Sequence, residues 1–166
     1  MRDAIFTTFL EHAREDAAHL NASSDLARVL PIDPQHYVLH YRCRGLVRDG
    51  SGPPRVHEDF GVGLYFPASY LRLEQPPGLV VQWLGPAEIF HPNIRSGFVC
   101  IGPIAPGEGL IDLAFRLFEV ISYHRCSPND ALNPEAAQWA RNHRDLLPLD
   151  RRPLLRPGTR RAGGDR

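Results

Sequence analysis

The residues best suited to chemistry lie in the segment His91-Pro92-Asn93-Ile94-Arg95-Ser96-Gly97-Phe98-Val99-Cys100-Ile101-Gly102, where a rigid polar turn leads to a single cysteine between apolar neighbours. Sulfur is both a good nucleophile and a good leaving group, so a thiol in this setting suits a carrier that accepts an acyl group as a thioester and passes it on. Cys100 is the candidate nucleophile, and a buried structural cysteine is the competing reading. Asn93, seven residues earlier, is its candidate partner. Its amide can donate either to a developing oxyanion or to the backbone of its own loop, while Pro92 limits how far the turn flexes. Cys126 is the rival thiol, but it precedes Ser127-Pro128, where any small residue would serve.

Neither His91 nor His124 reads as a general base, because nothing in the sequence supplies the orienting third group of a cysteine-histidine hydrolase. His91 reads instead as a hydrogen-bonded framework residue. Close pairs of cysteine and histidine matched by a second pair are also missing, so no metal and no cofactor is expected.

The segment resembles the active site of the ubiquitin-conjugating enzymes, which reads His-Pro-Asn, then a short Gly-containing stretch, then the thioester cysteine. Two further stretches carry the resemblance. Phe66-Pro67-Ala68-Ser69-Tyr70 followed by Pro76-Pro77 resembles the family's Phe-Pro, Tyr-Pro and Pro-Pro run, and Asp130-Ala131-Leu132-Asn133-Pro134-Glu135 resembles its acidic gate loop and next helix. The resemblance covers roughly residues 35–145, with its elements in the family's order. The resemblance implies a ubiquitin-like modifier, an activating enzyme and a target protein as partners, Cys100 as the thioester site, Asn93 as oxyanion or loop stabiliser, and Asp130 at the mouth of the site. Asp130 also fits a plain turn-stabilising role. A lysine with a pKa of about 10.4 is neutral in only about one molecule in a few thousand at pH 7. An acceptor amine therefore needs help losing its proton, which a carboxylate can orient and accept.

The sequence departs from the family in several places. Leu71 follows Tyr70 where the family has proline, residues are inserted between Tyr70 and Pro76 and between Trp83 and His91, and Arg72 replaces a usual apolar contact. These departures leave docking of a RING-type ligase open. They point toward divergent, bacterial-type conjugating proteins that work with a dedicated modifier, activating enzyme and deconjugating protease. A non-catalytic module that binds a modifier on the same fold is the alternative.

The 166 residues suffice for one domain with its own core. Nineteen basic residues balance nineteen acidic ones, which argues against a general nucleic-acid or membrane-surface role. Three widely spaced cysteines suggest no disulfide framework, and a reducing, cytoplasmic compartment fits. No signal-peptide core or membrane-spanning run is expected. Every basic residue is arginine and lysine is absent. Codon bias is one reading; the other is selection against self-modification in an enzyme that delivers acyl groups to lysine.

To position these residues the sequence predicts an α+β fold like that of the ubiquitin-conjugating enzymes: a four-stranded antiparallel meander with an N-terminal, a central and a C-terminal helix. Residues 3–20 form the first helix, with Ile5, Phe6, Phe9, Leu10, Ala13, Ala17 and Leu20 on its apolar stripe. Asn21-Ala22-Ser23-Ser24 is a polar break and Pro31-Ile32-Asp33-Pro34 a connector before the first strand. Strands are expected over residues 37–47, 56–66 and 79–83, the first two joined by a long turn over residues 48–54. Leu110, Leu113, Ala114, Leu117, Phe118 and Ile121 mark the central helix, and Asn133 caps one running to His143. Residues 1–150 form the predicted domain and residues 151–166 a disordered basic tail, in which Gly163-Gly164 is read as composition alone.

Overall fold

The computed structural model describes residues 3–95 and 97–159 and shows a mixed α+β protein built on one antiparallel sheet of four strands. In chain order the elements are α1 (Ala4–Ser23), β1 (Ala27–Pro31), β2 (His36–Tyr41), β3 (Gly45–Val47), β4 (Arg55–His57), β5 (Phe60–Tyr65), α2 (Pro77–Val80), β6 (Val81–Gly85), β7 (Ile94–Arg95), β8 (Phe98–Val99), α3 (Leu110–Ile121) and α4 (Pro134–Asn142). The main sheet has the order β1-β2-β5-β6, while β3-β4 and β7-β8 form two small hairpins.

Period-two alternation puts one set of side chains under the sheet. Val29, Leu39 and Val62 lie in register, as do Tyr41 and Phe60, and all are buried. Tyr41 joins the sheet to α3 by donating its hydroxyl to the Ala114 carbonyl at 2.9 Å. The α3 stripe is as predicted, with Leu110, Leu113, Ala114, Leu117, Phe118 and Ile121 all buried. Asp3 caps α1 through Ile5 N–H and Phe6 N–H. Ile5 itself is exposed rather than part of the apolar stripe. Phe9 packs edge-on against Phe66, their centroids 5.1 Å apart.

Three expected strands have different bounds. The first sheet strand is β1, which lies between the stretches read as break and connector and ends on Pro31 of the latter. Its start is set by Ser24, whose hydroxyl accepts from Leu26 N–H and Ala27 N–H. The Asn21 amide then pairs with both backbone groups of Val29. The run over residues 37–47 breaks after Tyr41, and Gly45 presses so close to Phe60 that a Cβ would lie 2.7 Å from its ring. That close approach sets β3 apart in its own hairpin, closed by the long turn expected over residues 48–54. Leu79 is helical, because Pro77 at the first position of α2 favours a helical turn before β6 begins.

Residues 151–159, predicted to begin a disordered tail, are docked. Leu154 is 1% exposed and belongs to the main core. Arg156 N–H donates to the Ser23 carbonyl at 2.8 Å and its guanidinium pairs with Asp25. Buried Asp150 accepts from Arg44 N–H and holds Arg152. The predicted boundary at residue 150 therefore cuts through packed structure; residues 160–166, with Gly163 and Gly164, lie outside the described residues. Leu154→Ala removes a buried side chain and should lower stability by about 2–4 kcal/mol. Urea unfolding checks this, since a dispensable tail would leave the midpoint unchanged.

Candidate functional site

The seven-residue spacing from Asn93 to Cys100 is the length of a hairpin. Ile94 pairs with Val99 and Arg95 with Phe98, and Gly97 turns the chain with φ +86°, so residue 100 returns to face residue 93. Cys100 N–H then donates to the Asn93 carbonyl at 2.8 Å. The turn is anchored to the sheet where Trp83 N–H donates to the Gly97 carbonyl, also at 2.8 Å. Cys100 is half-buried and free.

Asn93 is buried, 2% exposed, and its amide is committed. Its Oδ1 accepts from Ser127 N–H at 2.9 Å, and its Nδ2 donates to the Ser127 carbonyl at 3.2 Å. Of the two roles open to the amide, the structure shows backbone bonding, though to the loop after α3 rather than to its own. Two more bonds run alongside: Asn133 N–H to the Pro92 carbonyl at 3.0 Å, and Arg95 Nη1 to the Leu132 carbonyl at 3.2 Å. The segment from Ser127 to Asn133 is thus stitched along the His-Pro-Asn turn. Asp130 sits exposed on its 3-10 turn, Pro128–Asp130.

His91 is fully buried. Its Nδ1 accepts from Asn93 N–H at 2.9 Å, which leaves the ring proton on Nε2, near the Val120 carbonyl but without a well-formed hydrogen bond. Burial depresses its pKa to about 3, so the ring is neutral and its acceptor is spent on the backbone. Tyr123 supports it from below at a centroid distance of 4.3 Å. Tyr123 takes φ +62°, a left-handed conformation that costs a non-glycine residue about 1 kcal/mol or more. Its hydroxyl donates to the Phe90 carbonyl. His124 is engaged through Nε2 by the Asp150 carbonyl at 2.6 Å.

The other thiols are placed differently. Cys43 is buried in the core, where desolvation pushes its pKa up to about 12. Cys126 is half-buried next to Ser127, its pKa raised mainly by desolvation. Among the described residues no group of three histidine, cysteine or acidic side chains could hold a metal. No described helix is long and apolar enough to cross a membrane.

Two residues of this arrangement were not read from the sequence. Tyr123 follows the central helix with no glycine to announce a left-handed turn. Arg116 reads as a solvated residue of that helix, yet it binds the chain leaving Cys100. Its Nη2 donates to the carbonyls of Ile101 and Pro103, while Nη1 pairs with both Glu108 oxygens at 2.8 and 2.7 Å. Arg72, in contrast, is exposed and paired with Asp3 at 2.7 Å.

No protein-family model matches this chain, and no curated protein matches it.

Two predictions test the site as built. Asn93→Ala removes both bonds to the backbone of exposed Ser127 and leaves a small void at a buried position, so stability should fall by about 1–2 kcal/mol, measured by urea unfolding at neutral pH. An unchanged midpoint would mean that the Ser127 link does not persist in solution. For His91, the unfolded chain takes up a proton below about pH 6.5 while the folded ring stays neutral to about pH 3. The resulting stability is complete above pH 6.5 and is lost as pH falls, at up to about 1.4 kcal/mol per unit. His91→Asn, whose Oδ1 can accept from Asn93 N–H, should flatten the stability profile between pH 6.5 and 4.5.

Proposed function

We propose that this protein is a conjugating acyltransferase for a ubiquitin-like modifier, with Cys100 as its thioester site. The observation that carries the reading is the half-buried Cys100 thiol set against Asn93 by a hairpin, beside a loop that Asn93 itself holds and that bears exposed Asp130. An activating enzyme presents the modifier's C-terminal glycine as a thioester. The Cys100 thiolate attacks that carbonyl carbon, and the activating enzyme's thiolate leaves. A target amine then attacks the same carbon, an amide forms, and the Cys100 thiolate is expelled. Asp130 orients the amine and accepts its proton, while Asn93 keeps the Asp130 loop in place.

Support for transfer over hydrolysis comes from the histidines. His91 is buried, neutral and bonded through its acceptor to Asn93, and His124 is held by Asp150. The acceptor of His91 is spent on Asn93 and Nε2 of His124 on the Asp150 carbonyl, so among the described residues neither histidine is free to act as the base of a cysteine hydrolase. The modifier, the activating-type enzyme and the target are the partners this chemistry needs.

The reading is tested by charging. With the cognate activating enzyme, modifier and ATP, Cys100 should carry an adduct that disappears under thiol reductant. Cys100→Ser should give a reductant-resistant ester or nothing, and loss of the adduct in Cys126→Ala with retention in Cys100→Ala would overturn the assignment. Absence of lysine gives a second test. Arg95 is exposed on β7, within the active-site hairpin, and a tethered amine acts at high effective concentration. Arg72→Lys, Arg95→Lys and Arg125→Lys should each still charge, and at least one should become modified on itself in a reductant-resistant, Cys100-dependent form. If the triple variant charges fully, discharges to free lysine and stays unmodified, self-protection is not the reason lysine is absent.

A further inference from the structure

We propose that the backbone N–H of Gly102 is the oxyanion donor at Cys100, and that Arg116 is the positioning residue that turns it toward the thioester. The inference rests on the acyl-transfer reading of Cys100.

A trans peptide points its C=O and the following N–H in opposite directions. The Ile101 carbonyl is held on Arg116 Nη2 and the Pro103 carbonyl on the same nitrogen at 3.1 Å. The Gly102 N–H, on the far side of the Ile101–Gly102 peptide, is therefore directed away from α3. It finds no acceptor among the described residues, and Gly102 is half-buried. Arg116 cannot easily swing to release it. Its Nη1 is locked by Glu108, whose side chain is only 14% exposed and whose own carbonyl accepts from Tyr70 at 2.8 Å.

Gly102 adopts φ +79°, so the peptide is turned where a side chain would be strained. The reach fits. From Cα of Cys100 to N of Gly102 is at most about 6 Å, and an acyl oxygen on Sγ stands about 4–5 Å from the same Cα, so a contact of about 2.9 Å can close. The Asn93 amide, by comparison, already holds both backbone groups of Ser127.

In the step itself the amine nitrogen bonds to the thioester carbon and the carbonyl π pair moves onto oxygen, where Gly102 N–H donates to it. The amine proton passes to Asp130 or water, the pair returns, and the carbon–sulfur bond breaks to release Cys100 thiolate. Loss of one such donor typically costs about 10²–10³ in rate.

The test needs no activating enzyme. Cys100 in a Cys126→Ala background is loaded from a small-thiol thioester of acetyl-Gly-Gly, and aminolysis by free lysine is compared with that of the same acyl group on glutathione. Glycolic acid placed at position 102 by nonsense suppression replaces the amide with an ester, which deletes the N–H and weakens the Ile101 carbonyl as an acceptor for Arg116. Arg116→Met releases the peptide. Aminolysis should fall about 10- to 100-fold in both, while alkylation of Cys100 by iodoacetamide, which develops no oxyanion, stays within about twofold of the unaltered protein. The ester variant keeps the Arg116–Glu108 pair, so it reports even if Arg116→Met unfolds. Normal aminolysis in the ester variant overturns the proposal and leaves the acyl-transfer reading standing. So does a parallel fall in alkylation, which would show that the loop only places the thiol. If acyl-Cys100 in the unaltered protein reacts no faster than acyl-glutathione, the acyl-transfer reading itself fails, and the proposal with it.

Discussion

The candidate site depends on one buried side-chain amide bonding to both backbone groups of a residue 34 positions away. Asn93 meets the Ser127 N–H and carbonyl, and its own amide, on a residue only 2% exposed, would be costly to leave unpaired. Through that pair the loop after α3 is fixed to the hairpin that ends at Cys100. Remove it, and the Asp130 loop has only the Asn133 and Arg95 links to hold it to the His-Pro-Asn turn. An aliphatic residue could fill the same volume but could satisfy neither group. The amide side chain matches a backbone unit in having one donor end and one acceptor end.

The same device appears at Asn21, which bonds both backbone groups of Val29. In each case an asparagine stands in for a missing strand neighbour and lets the chain change direction without stranding polar groups. This is why β1 was hidden in the sequence. Asn21 and Ser24 read as turn formers, but Asn21 lies in the last turn of α1, which runs on to Ser23, and only Ser24 ends the helix; both help launch a sheet strand. Propensity describes what a residue does to its own backbone; these residues act on a backbone several positions away.

Helices and the nucleophile segment were legible because their signals are local. The α3 stripe follows from its 3.6-residue period, and Asn133 with Pro134 announces α4, where Asn133 Oδ1 does accept from Ala136 N–H. Between Asn93 and Cys100 the sequence showed only a rigid turn leading to a cysteine; the hairpin that joins them came from the structure. What escaped depends on distant partners. Gly45 is required by the Phe60 ring, Leu154 by a core assembled from the other end of the chain, and Arg116 by carbonyls 13 to 15 residues before it. No window of sequence contains both halves of those contacts. The family resemblance, not residue type, put Asp130 beside Cys100 and Asn93, and the identity of Asn93's partner needed coordinates.

Helix α3 and the residue just past its end touch the segment on both sides of Cys100. Arg116 holds the chain after Cys100, and Tyr123, just past the helix end, supports His91 ahead of it. Seven residues separate the two, close to two helical turns and about 10 Å. An insertion or deletion of a single residue between them would rotate one contact by about 100° relative to the other and shift it by about 1.5 Å. Length variation can accumulate in the exposed 48–54 turn at little cost, but this stretch of α3 tolerates changes of residue far better than changes of number.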